Sequence, residues 1–484
     1  MPVQIQGALS PPVLLSNFQK EGKSASFSSG YPKQWGEELK TFSFDKRINS
    51  ASLTHDEKFL ALGVGQDVLI YDVATFTVIE TLRGPVAEVG YIQFAPEGFS
   101  SRHGGYMLVS DTSSSVRSEP LIVIWYLDAS GKSREKQRSI DVQLVTAGAV
   151  DRAFEILSAF DPSDNWSRSE EAVSLLETRF RNTIEEAARL HNASRQALIS
   201  KATFPGFGSL VFSPDGCKLL YKSITTNERV GRQEQVMVYD VASRKNLLRL
   251  EGHTGAIVWA GYSPNGKYIA SSSWDQTLKV YSAENGTLLR SYGHTGGQNW
   301  GASFSPDSRY IAVGTGSRKV FIWEVDGSQA PFVEISGFPA WVRSLDWSPD
   351  SKLLAAGGRN GKLVVFNVYT KTTEQVWQID KENSGLRSVE INDIRWLNVE
   401  SVNHDERRKI LAFNPGNASL LVYDFDTNQE LYFGPRPDSP WSPGYWHGTI
   451  KVFYRSGLIG SIDQDGKMRL WKLPFAVDIP QEKN

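Results

Sequence analysis

The chain has 484 residues, 40% of them hydrophobic and 22% charged, a globular balance that can bury a core and confines disorder to segments. Its 52 basic and 54 acidic residues leave a net charge of −2, which excludes a global field steering the protein to nucleic acid or an anionic membrane. A single cysteine, Cys217, excludes an internal disulfide and a thiolate zinc site, and the histidines are scattered without metal-ligand spacing.

Residues 1–36 mix Pro, Ser, Gly and Lys without periodicity and read as a flexible arm. The start lacks a basic leader with an uninterrupted apolar core, and no run approaches the ~18 apolar residues of a membrane span. The expectation is a soluble, unsecreted protein of the cytoplasm or nucleus. Four Asn-x-Ser/Thr matches, at Asn165, Asn192, Asn285 and Asn417, are then chance occurrences rather than glycan sites. From Glu38, the run EELKTFSF has the pattern of an outer strand that precedes the first full unit instead of following one.

Along the rest of the chain, short apolar runs close on the tails IYDV, IWYL, VYDV, VYSA, IWEV, VFNV, VYDF and LWKL. Asp72, Tyr126, Asp240, Ser282, Glu324, Asn367, Asp424 and Lys472 occupy the acidic position of these tails. Successive tails from Asp240 to Asn367 stand about 42 residues apart, one bare unit of four short strands. A bulky residue before the first turn of each unit marks the core: Leu53, Phe94, Phe212, Tyr262, Phe304, Trp347 and Trp396, with Phe453 or Tyr454 in the last unit. About 114 residues separate Tyr126 from Asp240, which leaves room for one unit and an insertion. The insertion is placed at 146–202, where the apolar period changes from two to 3.6. Val150, Phe154 and Leu157 share one helical face, while Ala172, Leu176, Phe180, Ile184, Ala187 and His191 share a second. Ser169 followed by Glu170 and Glu171 reads as a helix start, and the whole as a hairpin decorating the strands.

The clearest repeat runs from Gly252 to Trp323, where GHTGAIVWAGYSPNGKYIASSSWDQTLKVYSAENG is followed by GHTGGQNWGASFSPDSRYIAVGTGSRKVFIW. The Gly-His opening, the Asp before the third strand and the aromatic-acidic close resemble the WD-repeat family. That resemblance implies an all-β fold, a β-propeller of four-stranded blades around a central channel. The tails point to eight blades, with seven as the alternative. No outer strand follows Leu473, so the N-terminal strand is expected to close the ring within 37–473, leaving 474–484 as a tail.

In the WD-repeat family a buried hydrogen-bond set links the Gly-His histidine, a second-strand Ser or Thr, the turn Asp and the third-strand Trp. By resemblance, unit four carries it as His253, Ser271 or Ser273, Asp275 and Tyr281. Unit five has His294 and Trp323 with Ser317 at the Asp position, unit eight has Asp465 and Trp471, and units six and seven offer Asn360 and Asn417. A hydrolase triad could be drawn from the same residue types, yet their recurrence as punctuation favours the structural role. No G-x-S-x-G elbow, H-E-x-x-H helix or phosphate-cradling glycine loop is present, and no cofactor or metal is implied.

The expected function is therefore a non-catalytic scaffold for protein or peptide partners, by family analogy. The alternatives are a propeller enzyme with a channel-centred site and a local nucleic-acid contact, the latter disfavoured by the charge balance. Turns from second to third strands and loops from fourth to first strands emerge on one face of a propeller. The insertion and the loop FGPRPDSPWSPGYWHG are both assigned to such fourth-to-first connections, and Trp274 to that face. Trp274, Arg436, Trp441, Tyr445 and Trp446 are the candidate partner anchors, because exposed aromatics and Arg dominate interface hot spots. Trp300 and Trp341 stand near first-strand starts, where they could reach the channel rim.

Overall fold

Strands apolar on both faces have to be sandwiched between two other sheets. Four second strands show that pattern, with every residue of Phe59–Val64, Tyr106–Thr112, Tyr310–Thr315 and Leu353–Gly358 buried. The computed structural model describes residues 19–20, 23–24, 26–27, 38–84, 87–112, 120–134, 142–160, 170–193, 197–206, 209–227, 231–359, 361–378, 390–400, 407–414, 420–426, 429–433, 450–462 and 466–473. Within them the chain forms an eight-bladed β-propeller, each blade an antiparallel meander from an inner strand at the channel to an outer strand at the perimeter. Eight apolar clusters hold the ring, each shared by two neighbouring blades. Burial at about 25 cal/mol per Å2 of apolar surface makes these interfaces the main source of stability.

The ring closes as the sequence implies. Lys40–Phe42 is the outer strand of blade eight, pairing Phe42 with Met468, Thr41 with Arg469 and Lys40 with Leu470. Phe42 is 3% exposed in the cluster between blades eight and one, with its ring edge-on to Tyr71 at 5.0 Å. Upstream, Gln19–Lys20 pairs antiparallel with Lys23–Ser24, and Ser26–Phe27 pairs parallel with Gln429–Glu430 on the outer strand of blade seven, so six residues assigned to the flexible arm are strand.

The insertion sits elsewhere than the sequence placed it. Blade two consists of Val89–Phe94, Tyr106–Thr112, Leu121–Leu127 and Ala197–Ser200. Its outer strand comes in two pieces: Ser133 and Arg134 bond back to Leu127 and Tyr126, and Ala197–Ser200 continues along Ile124–Leu121. The helices leave from the break between these pieces. They therefore lie in the third-to-fourth connection, and the range 146–202 includes the second piece of the outer strand and Ala202 of blade three. A short helix, α1 (Glu97–His103), sits in the first turn of blade two; the insertion contributes α2 (Val142–Phe160) and α3 (Glu170–Ala193). Glu170 and Glu171 in the first turn of α3 suit the positive end of its dipole. Val173, Leu176, Phe180 and Ile184 are half-buried at the spacing of one helical face. α3 packs on α2 and rests against Thr77–Arg83, the outer strand of blade one.

Two outcomes follow for stability. A chain beginning at Asp45 should melt well below one beginning at Tyr31, and Phe42→Ala alone should cost about 3 kcal/mol or more by cavity formation; equal melting temperatures would refute closure by this strand. Replacing 142–193 by a short Gly/Ser linker should leave a folded propeller, because loop length costs little entropy. Replacing 146–202 should destabilise it, since that also removes the outer edge of blade two. Circular dichroism and thermal melts of both deletions separate the two cases.

Candidate functional site

Blade four assembles a polar network beneath its surface. His253 Nδ1 donates to Asp275 Oδ2 at 2.8 Å, and its Nε2 meets the Ser271 hydroxyl at 2.8 Å. The carboxylate also accepts from the Thr254 N–H at 2.9 Å, the Thr277 N–H at 2.9 Å and the Thr277 hydroxyl at 2.6 Å. Burial opposes ionisation of Asp275, but these donors outweigh it and hold the carboxyl well below the usual range. Tyr281, at the third-strand position, donates to Glu251 O at 2.9 Å, and burial pushes its phenol up to about 12. Of the two candidate serines, Ser271 meets the imidazole; Ser273 Oγ accepts the Asp275 N–H at 3.1 Å and shapes the turn. Ser271 is fully buried and both Asp275 oxygens are engaged, an arrangement suited to bracing rather than to attack on a substrate.

Among the described residues the other blades do not repeat it. His294 is exposed, at a left-handed position with φ 58°. In its place Ser317 donates to Thr295 O at 2.6 Å, and Thr295 to Asn299 Oδ1 at 2.7 Å. Trp323 is buried and stacked on Tyr292 at 4.9 Å, with no hydrogen-bond partner for Nε1 among the described residues. Trp471 is 2% exposed in the cluster between blades seven and eight. Asp465, Asn360 and Asn417 lie outside the described residues. Blade two holds a fragment of the set that the sequence reading missed, Trp125 Nε1 donating to Ser110 Oγ at 2.9 Å. Its signal was the Trp in IWYL opposite a second-strand serine.

At the rim, aromatic residues from three blades meet. Trp274, in the turn before the third strand of blade four, is 41% exposed and edge-on to Trp300 at 5.5 Å. Trp300 and Trp341 lead the inner strands of blades five and six, with ring centroids 5.3 Å apart. The Arg343 guanidinium lies over both rings, 4.3 Å from Trp300 and 4.4 Å from Trp341, and bonds Glu390 Oε1 at 2.7 Å. Arg359 lies 5.4 Å over Trp341. Beside Trp341 opens a cleft of about 330 Å3, lined on one side by Gly297, Gly316 and Arg318 and on the other by Pro339 and Ala340. Gly297 keeps this side tight: a Cβ there would stand 2.6 Å from Ser317 N. Arg343, Arg359 and Arg318 were absent from the sequence-based candidates. Arg436, Trp441, Tyr445 and Trp446 lie outside the described residues, but the strands that bracket them, Gln429–Phe433 and Ile450–Phe453, are the outer strand of blade seven and the inner strand of blade eight. The insertion, leaving from the perimeter of blade two, does not share the face of Trp274.

Inside the channel, a cavity of about 340 Å3 is lined by Arg343, Asp346, Asp393 and Arg395 among others. Asp346 Oδ2 accepts the Trp396 N–H at 2.7 Å, and Asp393 Oδ2 the Ile450 N–H at 2.8 Å. Burial pushes Asp346 up to about 6 against the pull of Arg395, and burial with the charge of Arg395 brings Lys451 down to about 8. Each carboxylate thus ties one blade to the next. Among the described residues, no group of three or more His, Cys, Asp or Glu is placed to hold a metal ion, and no helix is long and apolar enough to cross a membrane.

This architecture is that of a β-propeller, and its blade-four network is similar to that of the WD-repeat family. A family model described as "WD domain, G-beta repeat" matches residues 244–282, and one described as "Anaphase-promoting complex subunit 4 WD40 domain" matches 302–403. The WD repeat-containing protein SL1-17 of Schistosoma mansoni is 28% identical over 173 residues, covering 36% of this chain and 56% of that protein. Elongator complex protein 2 of Dictyostelium discoideum is 26% identical over 219 residues, 40% of this chain and 24% of its own. The match therefore spans less than two thirds of either relative. The crystal structure of a computationally designed protein, Ika8, superposes with a TM-score of 0.55 at 14% identity, covering 90% of this chain and all of that one, a likeness of fold alone.

Asp275 gives a test of the network. Its folded pKa is depressed, so its contribution is complete above the ordinary carboxylate pKa near ~4 and is lost as pH falls through the folded value. Asp275→Asn should cost about 2–4 kcal/mol near neutrality, with the difference from wild type shrinking in acid. His294→Asn, at an exposed left-handed position, should change stability by under ~0.5 kcal/mol. Urea melts across pH read both.

Proposed function

We propose that the protein is a non-catalytic WD-repeat scaffold, binding protein or peptide partners through the face that carries the turns between second and third strands and the loops entering the inner strands. The observation that carries this reading is the stack Trp274, Trp300, Arg343 and Trp341 at the rim, half of it exposed and half anchored in the core. Rigid aromatics backed by a fixed guanidinium lose little entropy on binding, and these residue types dominate interface hot spots. Trp274, with Arg436, Trp441, Tyr445 and Trp446 of the neighbouring loop, are the proposed anchors. Prolines 435, 437, 440 and 443 in that loop reduce its freedom before binding.

The comparisons support the class of function. One matching family model and one relative carry names that place those proteins in complexes, the anaphase-promoting complex and Elongator. By analogy this chain acts within a multiprotein assembly of the cytoplasm or nucleus. The channel carboxylates would favour an enzyme if their oxygens were free, but those resolved above hold backbone N–H groups of the adjoining blade.

Partners recovered by affinity purification and identified by mass spectrometry provide the test. Trp274→Ala, Trp441→Ala or Trp446→Ala should each weaken the anchored partner by about thirtyfold where the residue is a true anchor. Lys267→Glu and Lys352→Glu, exposed in first turns on the opposite face, should leave binding intact. Binding lost on the lysine reversals and retained in all three tryptophan variants would place the partner on the other face.

A further inference from the structure

We propose that the cleft beside Trp341 is a carboxylate-binding subsite that takes an acidic, extended peptide segment of the partner, with Arg318 and Arg359 as its guanidinium anchors. The proposal rests on the partner-binding reading of this face and gives that partner a chemistry.

The local charge is unbalanced. Arg343 is held by Glu390 and stacked between two indoles, so its charge is answered. Lys319 is likewise paired with Glu334 at 2.5 Å. Arg359 is exposed, lies over Trp341 and pairs with no carboxylate among the described residues. Burial lowers the pKa of Arg343, and the positive charge of Arg359 lowers it further, as expected for a surplus cation nearby. Arg318, on the blade-five side of the cleft, is exposed and makes no ion pair among the described residues. It also occupies a left-handed position, φ 67°, which Gly or Asn would hold at lower cost. Arg318 thus lines the cleft and Arg359 lies over Trp341, which forms part of its wall, neither with an ion-pair partner among the described residues.

Shape narrows the occupant. A cleft of about 330 Å3 lies at the small end of ligand pockets, with room for one or two side chains. A guanidinium binds a carboxylate with two parallel hydrogen bonds, and the half-buried Trp341 ring offers its face to an adjoining apolar side chain. A single-stranded nucleic acid would require successive accessible aromatic platforms. Here Trp300, between the two open rings, is 6% exposed and covered by Arg343.

The full chain is to be screened against a random library of peptides about ten residues long, and the selected peptides measured by fluorescence anisotropy beside an oligouridylate RNA. The expected result is enrichment of Asp and Glu over Asn and Gln. Arg318→Gln and Arg359→Gln should each weaken the selected peptides about tenfold or more, at unchanged melting temperature. Replacing the peptide carboxylate by its amide should cost little further in either variant, the coupling that a direct contact requires. Arg318→Lys should restore only part of the loss, lacking the bidentate fork. Enrichment of neutral peptides overturns the proposal, as does acidic peptide binding that survives both arginine changes, or RNA binding tighter than any peptide. Loss of binding in Trp274→Ala with no effect of the arginines removes the acidic subsite and leaves the partner face standing; retention in Trp274→Ala and the arginine variants alike, with loss in Lys267→Glu, removes both.

Discussion

The structure depends on satisfying the open edge of each inner strand. An inner strand pairs with its blade on one side only, and on the other its N–H and C=O groups would face the channel unpaired. Side chains of the adjoining blade answer them. Ser50 and Ser52 of blade one accept the N–H groups of Ile92 and Phe94, Asp111 of blade two that of Phe204, and Ser209 of blade three that of Ala260. Ser272 donates to Trp300 O, and Trp347 Nε1 to Ser303 O. Asp346 and Asp393 accept from Trp396 and Ile450, and Glu57 accepts from Arg455 where blade eight meets blade one. Every junction of the ring carries such a bond, so opening one junction exposes polar and apolar surface together.

That bracing explains how the fold survives the loss of its repeat-specific network. Among the described residues only blade four assembles the histidine, serine and aspartate set; blade five relies on hydroxyl-to-backbone bonds and on Trp323 stacked against Tyr292. The apolar clusters supply the bulk of the energy at every interface, and one buried polar network adds only a few kcal/mol. Blades can drift in sequence while their interfaces persist. The channel charges belong to the same bracing. Asp346 is costly to bury and is kept because it holds the edge of blade seven.

The rim follows from the same geometry. Inner strands of adjacent blades start side by side around the channel, so Trp300 and Trp341 meet although some forty residues of chain lie between them. Arg343, two residues into its strand, falls between the rings because alternate side chains of a strand share a face. Trp274 joins from the turn of the preceding blade. A surface of this kind is rigid because three separate blades hold it.

Much of the fold was legible in the sequence, for a stated reason: a repeat of about 42 residues exposes its strands, turns and tails by recurrence, and a strand pattern ahead of the first full unit, at Lys40–Phe42, announces the strand that closes the ring on Met468–Leu470. The His253, Ser271 and Asp275 set was legible because its members sit within one blade, at separations fixed by the hairpins. The insertion's helical period was also readable, but its point of departure was not. Ser133 and Arg134 are too few to announce half a strand, and only pairing with Leu127 and Tyr126 identifies them. His294 kept the motif in sequence, yet its positive φ turns it to the surface, a backbone choice made by the loop around it. Arg318, Arg343 and Arg359 had no motif at all. They stand at three strand ends of two blades, Arg318 on the cleft and Arg343 and Arg359 over the Trp341 ring that lines it, a placement that periodicity cannot encode and tertiary packing alone decides.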